Sequence, residues 1–333
     1  MDMEVGFLAD ISLLANFLKT DMKKFLLGAL ATVFAASSVN VAGAYERKVL
    51  VEEFTTEQCS NCPTAAAYMN TMLKTLETEY PGRVFATCHH AGYGTDWLTT
   101  EADNAYTALY NNNGSTYAPA FMVDRHIFSL DTPVFGGTAS LHPYIVNRLN
   151  DMCRAEISVS AVYNADGDMV RVTAKGERSR EFTTNPARVT FFVIENNVQA
   201  KSQAGASGTF IHQHVMRATN SVWGVEIPWN DDNTFEISRS ISIKQAWDKE
   251  NLEVIAFISD YDKYDYSLYT IENVDGCKIL TSGVEEVADT DEVISSEYFS
   301  VDGKRVDADT KGLVIKISHM ESGATKSEKV YNR

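Results

Sequence analysis

Cys59-Ser60-Asn61-Cys62 stands between an apolar run, Val49-Leu50-Val51, and a segment whose apolar residues Ala65, Met69, Met72, Leu73 and Leu76 recur at helical spacing. The pattern predicts a strand that delivers two cysteines to the first turn of a helix, and that placement suits redox chemistry. Unpaired N–H groups and the positive end of the helix dipole stabilise a thiolate, the species that attacks a disulfide. The spacing lets the second thiol reach back and resolve the mixed disulfide that results. A bare C-x-x-C is also half of a zinc site. No second C-x-x-C or spaced histidine pair follows, and Cys88, Cys153 and Cys277 are scattered, so a closed four-ligand zinc centre is not expected.

The start of the chain sets the compartment. Met22-Lys23-Lys24, an apolar run from Phe25 to Ala36 and small residues ending Ala42-Gly43-Ala44 form a secretory signal. Residues 1–44 are therefore read as an N-terminal extension plus signal peptide, with either Met1 or Met22 as the start and Tyr45 as the first mature residue. An uncleaved anchor that adds Phe7–Leu18 is opposed by Lys19, Asp21, Lys23 and Lys24 between the apolar patches. Export to the periplasm, outer membrane or cell surface is expected. Disulfides persist there. The five cysteines are odd in number, so a 59–62 pair leaves at least one of the others free or joined between chains. A net charge of −16 argues against nucleic acid or anionic lipid surfaces as partners.

Beyond Tyr45 the pattern alternates strand and helix to about Cys153. Arg83–Cys88 reads as a strand, Leu98–Leu109 as a helix stopped by Asn111–Gly114, Tyr117–Val123 as a strand and Leu141–Met152 as a helix. The texture then changes. Ile157–Val162, an Asp166-Gly167 turn and Met169–Val172 signal a hairpin. Further strands are predicted at Val189–Glu195, Thr209–Arg217, Trp223–Trp229, Thr234–Ile243, Leu252–Ser259 and Ser267–Val274, the spacing of an antiparallel sandwich of immunoglobulin size. The fold class is thus α/β over residues 45–153 followed by an all-β sandwich over 154–282. An acidic linker at 283–293 and a short β-hairpin tail at 294–333 complete the chain.

With these residues in view, the chain resembles the family of twenty-eight-kilodalton outer membrane proteins of Gram-negative bacteria, which join a thioredoxin-like domain to a β-sandwich. The matching segments are Val51-Glu52-Glu53-Phe54-Thr55, Cys59-Ser60-Asn61-Cys62-Pro63, Tyr117–Arg125, Phe210–Arg217 and Trp223-Gly224. The tail, with Tyr298-Phe299, Gly303, Lys311-Gly312-Leu313 and Ser322-Gly323, resembles C-terminal segments that address cargo to type IX secretion, though Leu313-Val314 stands where an aromatic is commoner. The resemblance implies roles. Cys59 would be the attacking and more exposed thiol, and Cys62 the resolving one beneath it. Pro119 would be a cis-proline facing the pair, with the backbone of Ala118 free to bind an extended substrate. Glu53 would be the buried acid that moves the proton of Cys62. No cofactor is implied.

Departures matter too. Glu57-Gln58 replace the usual tryptophan before Cys59, and an adjacent acid raises a thiol pKa. Pro63 disfavours helical geometry at Cys62, which points to a late helix start capped by Asn61. His89-His90 follow Cys88, and one of them is placed to join Cys59 and Cys62 around copper or zinc. His212 and His214 share a strand face, and Tyr261–Tyr266 is an aromatic, acidic loop suited to calcium or glycans. The reading is an exported thiol–disulfide oxidoreductase-like protein acting on envelope proteins that carry thiols or disulfides. An envelope binding or adhesion module with a structural disulfide, and a metal-delivery protein, are the alternatives.

Overall fold

The first strand, β1 (Val49–Thr55), is buried along its whole length, which requires cover on both faces of its sheet. The computed structural model, which describes residues 45–110, 115–183, 186–262, 264–265, 268–281, 293–300, 303–320 and 325–332, supplies that cover. β1 pairs in parallel with β2 (Val84–His90) and antiparallel with β3 (Ala120–Val123). Helix α1 (Cys62–Glu79) lays Ala65, Met69, Met72 and Leu76 on one face, beside Leu141, Ile145 and Leu149 of helix α3 (Leu141–Leu149). The other face receives Tyr106 of helix α2 (Glu101–Tyr106), then Leu109 and Tyr110 of the 3₁₀ turn Thr107–Tyr110. α2 starts at a capping box in which Thr100 and Asp103 exchange side-chain and backbone hydrogen bonds.

In the second half, β4 (Ala155–Tyr163), β5 (Met169–Arg178) and β11 (Thr234–Ser242) form a three-stranded antiparallel sheet. Gly167 closes the β4–β5 turn at φ 65°, the left-handed conformation that glycine adopts without penalty. The inward residues Ile157, Ala161, Val170 and Val172 meet Val189, Phe191 and Val193 of β6 (Arg188–Glu195) and Val254, Ala256 and Ile258 of β12 (Leu252–Ser259).

Those last strands do not form a sheet of their own. With β13 (Ile271–Lys278) and β9 (Val215–Thr219) they continue the first half's sheet, in the order β13-β12-β6-β9-β2-β1-β3, and β10 (Val225–Glu226) flanks β6 as the eighth strand. The join is a parallel bridge between Cys88 and Val215, in which the Cys88 N–H donates to the His214 carbonyl at 2.7 Å. One sheet therefore crosses the boundary expected near residue 153. Over the described residues the protein is β-rich, with several sheets and few helices.

The predicted strand 209–217 is broken. Its pieces are β8 (Ile211–His212), paired with β7 (Val198–Gln199), and β9, because His214 adopts φ 55° between them. His212 and His214 accordingly do not share one strand face. The predicted strands at 117 and 223 shorten to β3 and β10, the one at 267 is displaced four residues along the chain to β13, and β2 runs on through His90. The extension and signal at 1–44, the stop at Asn111–Gly114 and the linker from 283 to 292 lie outside the described residues.

The tail is more than a hairpin. β14 (Val293–Ser300), β15 (Arg305–Val306), β16 (Gly312–Met320) and β17 (Thr325–Asn332) make a four-stranded sheet in the order β15-β14-β16-β17. Val293, assigned to the linker, begins β14. Because these strands hydrogen-bond with one another, removing residues 293–333 should leave the unfolding transition of the rest within about 0.5 kcal/mol of the full chain. Urea titration of the truncated and full proteins checks this, and a larger loss would show that the tail stabilises the remainder.

Candidate functional site

Cys59 lies in the loop between β1 and α1 and Cys62 begins α1, which brings their Cα atoms to 5.4 Å, and the two are joined as a disulfide. Pro63 occupies the first turn of the helix, where its missing N–H costs nothing. Asn61 takes the N-cap position, but its side chain makes no capping hydrogen bond, contrary to the expectation from sequence. The helix also starts at Cys62 rather than later. Both cysteines are 2% exposed, so the expected difference in exposure between Cys59 and Cys62 is absent.

Glu53 lies on the α1 face of β1, fully buried, and burial pushes its pKa up to about 8. The Cys88 thiol donates to its Oε2 at 3.6 Å, while Oε1 has no protein partner. A cavity of about 10 Å³, roughly the room of one water, is lined by Glu53, Thr55, Ala66, Met69, Asn70, Cys88 and His212. On α1 this cavity is lined by Ala66, one turn beyond Cys62, and by Met69 and Asn70. Burial likewise pushes the Cys88 thiol well above its usual range. The Ala118–Pro119 peptide bond is cis and leads into β3. The carbonyl of Tyr117, just before it, accepts the Tyr110 hydroxyl at 2.5 Å.

Glu52 faces the opposite side and is also fully buried. Burial pushes its pKa up, but the Arg125 guanidinium more than offsets this and, with His89, holds it at about 2. Arg125 grips Glu52 through Nε and Nη2, each at 2.8 Å. His89 bridges Glu52 at 3.0 Å and Asp103 at 2.9 Å, and despite burial these carboxylates raise its pKa. His89 therefore belongs to a buried ion network and not to the disulfide. His90 turns the other way, toward Asp96 at 2.7 Å, with its ring 4.8 Å from that of His212. Burial, and then His90, hold His212 down at about 4, so it is neutral near pH 7. Burial does the same to His214. Among the described residues no three His, Cys, Asp or Glu side chains are grouped to hold a metal ion. In the aromatic, acidic segment, Asp262 accepts the Tyr264 and Asp265 N–H groups in a local turn.

Glu57, which the sequence marks as a departure, is spent on neighbours. Its Oε1 accepts the Lys201 N–H at 2.7 Å and the Trp97 indole at 2.9 Å, and its Oε2 accepts the Ser202 N–H at 3.3 Å. Gln203 reaches the Cys59 carbonyl at 3.0 Å. These second-half residues carried no signal beyond the small-residue run Ala204-Gly205-Ala206-Ser207-Gly208.

Residues 104–282 match the family model described as outer membrane protein Omp28. No curated protein matches the chain in sequence. Among solved structures, HBP35 of Porphyromonas gingivalis is similar over 87% of this chain and 100% of its own, at 20% identity and a TM-score of 0.63, a likeness of fold. A protein from Agrobacterium tumefaciens matches over 73% of this chain and 98% of its own, at 15% identity and a TM-score of 0.44. A domain of the outer membrane lipoprotein Omp28 from Porphyromonas gingivalis covers 40% of this chain and 93% of its own, at 21% identity and a TM-score of 0.29.

Proposed function

This chain belongs to the Omp28 family of outer membrane proteins, and from that premise we propose that it exchanges disulfides with envelope proteins through Cys59 and Cys62. The family fits the exported, outer-membrane or surface localisation read from the N-terminal segment. In this reading residues 45–153 act as a thioredoxin-like unit and residues 154–282 as an immunoglobulin-like sandwich fused to it through the shared sheet. The observations that carry the reading are a disulfide at a helix start and, on the α1 face of the preceding strand, a buried carboxyl whose pKa burial pushes up to about 8.

The chemistry balances with the chain's own groups and a client dithiol. A client thiolate attacks Sγ of Cys59. That S–S bond forms as the 59–62 bond breaks, and Cys62 leaves with the electron pair and takes the Glu53 proton. A second client thiolate attacks the client sulfur of the mixed disulfide, and Cys59 departs as thiolate. The client ends oxidised and the pair reduced; run backwards, the reduced pair reduces a client disulfide. Pro119 bounds the docking place in this scheme, and the Ala118 backbone pairs with the extended client.

Cys62→Ser removes the resolving thiol, so covalent complexes through Cys59 should accumulate in envelope extracts under mild oxidation and collapse on reduction. The Cys59→Ser/Cys62→Ser protein should give none. Absence of adducts with Cys59 intact would end the exchange reading. It would favour the alternative that the low exposure of both cysteines supports, an envelope binding module whose disulfide is structural.

A further inference from the structure

The segment between β7 and β8 lies across the cysteine loop. Besides the Glu57 carboxylate contacts of Lys201 and Ser202, the Ala204 N–H donates to the Glu57 carbonyl at 2.7 Å, and Gln203 Nε2 donates to the Thr56 carbonyl at 3.3 Å. Gly205, at φ 77°, approaches the Ser60 carbonyl so closely that a Cβ there would collide with it. The Lys201 ammonium stands 4.3 Å over the Trp97 ring. Residues 201, 202, 205 and 207–209 of this strap are themselves exposed.

A covering segment made this way has an unusual balance. It lies on the backbone of Thr56, Glu57, Cys59 and Ser60, yet it is held by polar contacts and buries little apolar surface of its own. Lifting it therefore exposes no core, and water replaces each hydrogen bond it gives up, which is the profile of a segment that opens locally. Glu57, 7% exposed with the strap down, would regain water when it lifts. The contacts are also of a particular kind. Backbone N–H groups meet a carboxylate and a carbonyl, and an ammonium covers an indole face. Any extended polypeptide with a basic residue can offer the same groups.

We propose that residues 201–205 are a built-in occupant of the place where a client polypeptide meets the disulfide, with Glu57 and Trp97 as the docking point that strap and client contend for. The preferred client segment carries Lys or Arg at the place Lys201 now fills. The proposal rests on the exchange reading above and adds to it who is admitted. The charge of −16 on the whole chain favours encounter with basic segments in the same direction.

The test compares the full-length protein with Glu57→Gln and Gly205→Val. Glu57→Gln sets an amide donor against backbone donors, and Gly205→Val forces the strap off Ser60. Reduction of the 59–62 disulfide is timed with dithiothreitol and with two dithiol peptides that differ only by Lys against Glu beside their cysteines. Both variants should react with dithiothreitol about tenfold or more faster than the parent, the scale expected when a few hydrogen bonds cease to hold a segment closed. The parent should prefer the Lys peptide, and Glu57→Gln should lose that preference. Equal dithiothreitol rates in all three proteins, or no preference between peptides, would overturn the proposal. If Gly205→Val does not fold, Glu57→Gln alone decides. Client adducts from Cys62→Ser alongside equal rates would refute the strap and leave exchange standing. Faster variants with no adducts would refute exchange and leave the gate.

Discussion

Arg125→Met should lower the stability of the protein by about 3–5 kcal/mol, the usual cost of removing one partner from a buried ion pair. Glu52 is fully buried and takes both of its 2.8 Å bonds to Arg125 from one guanidinium. Without them it has only His89, which Asp103 also needs, so two buried carboxylates would share one imidazolium. Arg125 also lies 4.6 Å from the Tyr106 ring and 5.1 Å from that of Phe257 on β12, so its loss removes packing where the two halves of the chain meet. In a chain of this size the midpoint of thermal unfolding should fall by roughly 4–8 °C. Glu52→Gln combined with Arg125→Met should recover part of the loss, because no charge is then stranded. Thermal and urea unfolding of the two variants decide the matter, and a loss below about 1 kcal/mol for Arg125→Met would mean that the network does not bear on stability.

What the sequence made legible was local. The cysteine pair, the apolar spacing of α1 and the β4–β5 hairpin depend on neighbours within a few residues, and each stands where the pattern put it. The buried position of Glu53 followed from alternation with Val51. Glu52 did not follow, since alternation assumes that one face of a strand meets water, and β1 meets none. The other omissions share a cause. Cys88 bonds to His214, and Glu57 to Lys201 from 144 residues away, and no periodicity encodes a pairing across such a distance. The break at His214 depends on a left-handed backbone, which histidine adopts more readily than most residues but still in only a small minority of its positions, so the residue type alone does not place it. So the motif was readable while its cover was not, and an acid that looked like a hindrance to Cys59 is the anchor of the segment above it.

The ionisation of Glu53 should be readable in stability. Its pKa is about 8 in the folded protein against the ordinary 4.5, with burial the cause. Between those values the unfolded chain has released a proton that the folded chain keeps, so stability falls as pH rises through the window and levels off above about 8. The full contribution is roughly 4–5 kcal/mol. Glu53→Gln keeps the shape of the neutral acid and cannot ionise. The variant should match the parent below about pH 4.5 and gain on it steadily toward pH 8.5, by several kcal/mol at the upper end. Groups common to both proteins, such as Glu52 and Asp96, cancel in the difference, so urea titrations of the oxidised proteins at several pH values isolate this one carboxyl. A difference that does not change with pH would mean that Glu53 titrates near its ordinary value. In the exchange proposed above, the same proton has a part. A carboxyl still neutral at pH 7 can protonate Cys62 as it leaves and recover the proton when the disulfide re-forms. Glu53→Gln should therefore slow both directions and remove the inflection near pH 8 from the rate profile. An unchanged profile would separate the buried acid from the chemistry above it, leaving Glu53 only as a cost to stability at alkaline pH.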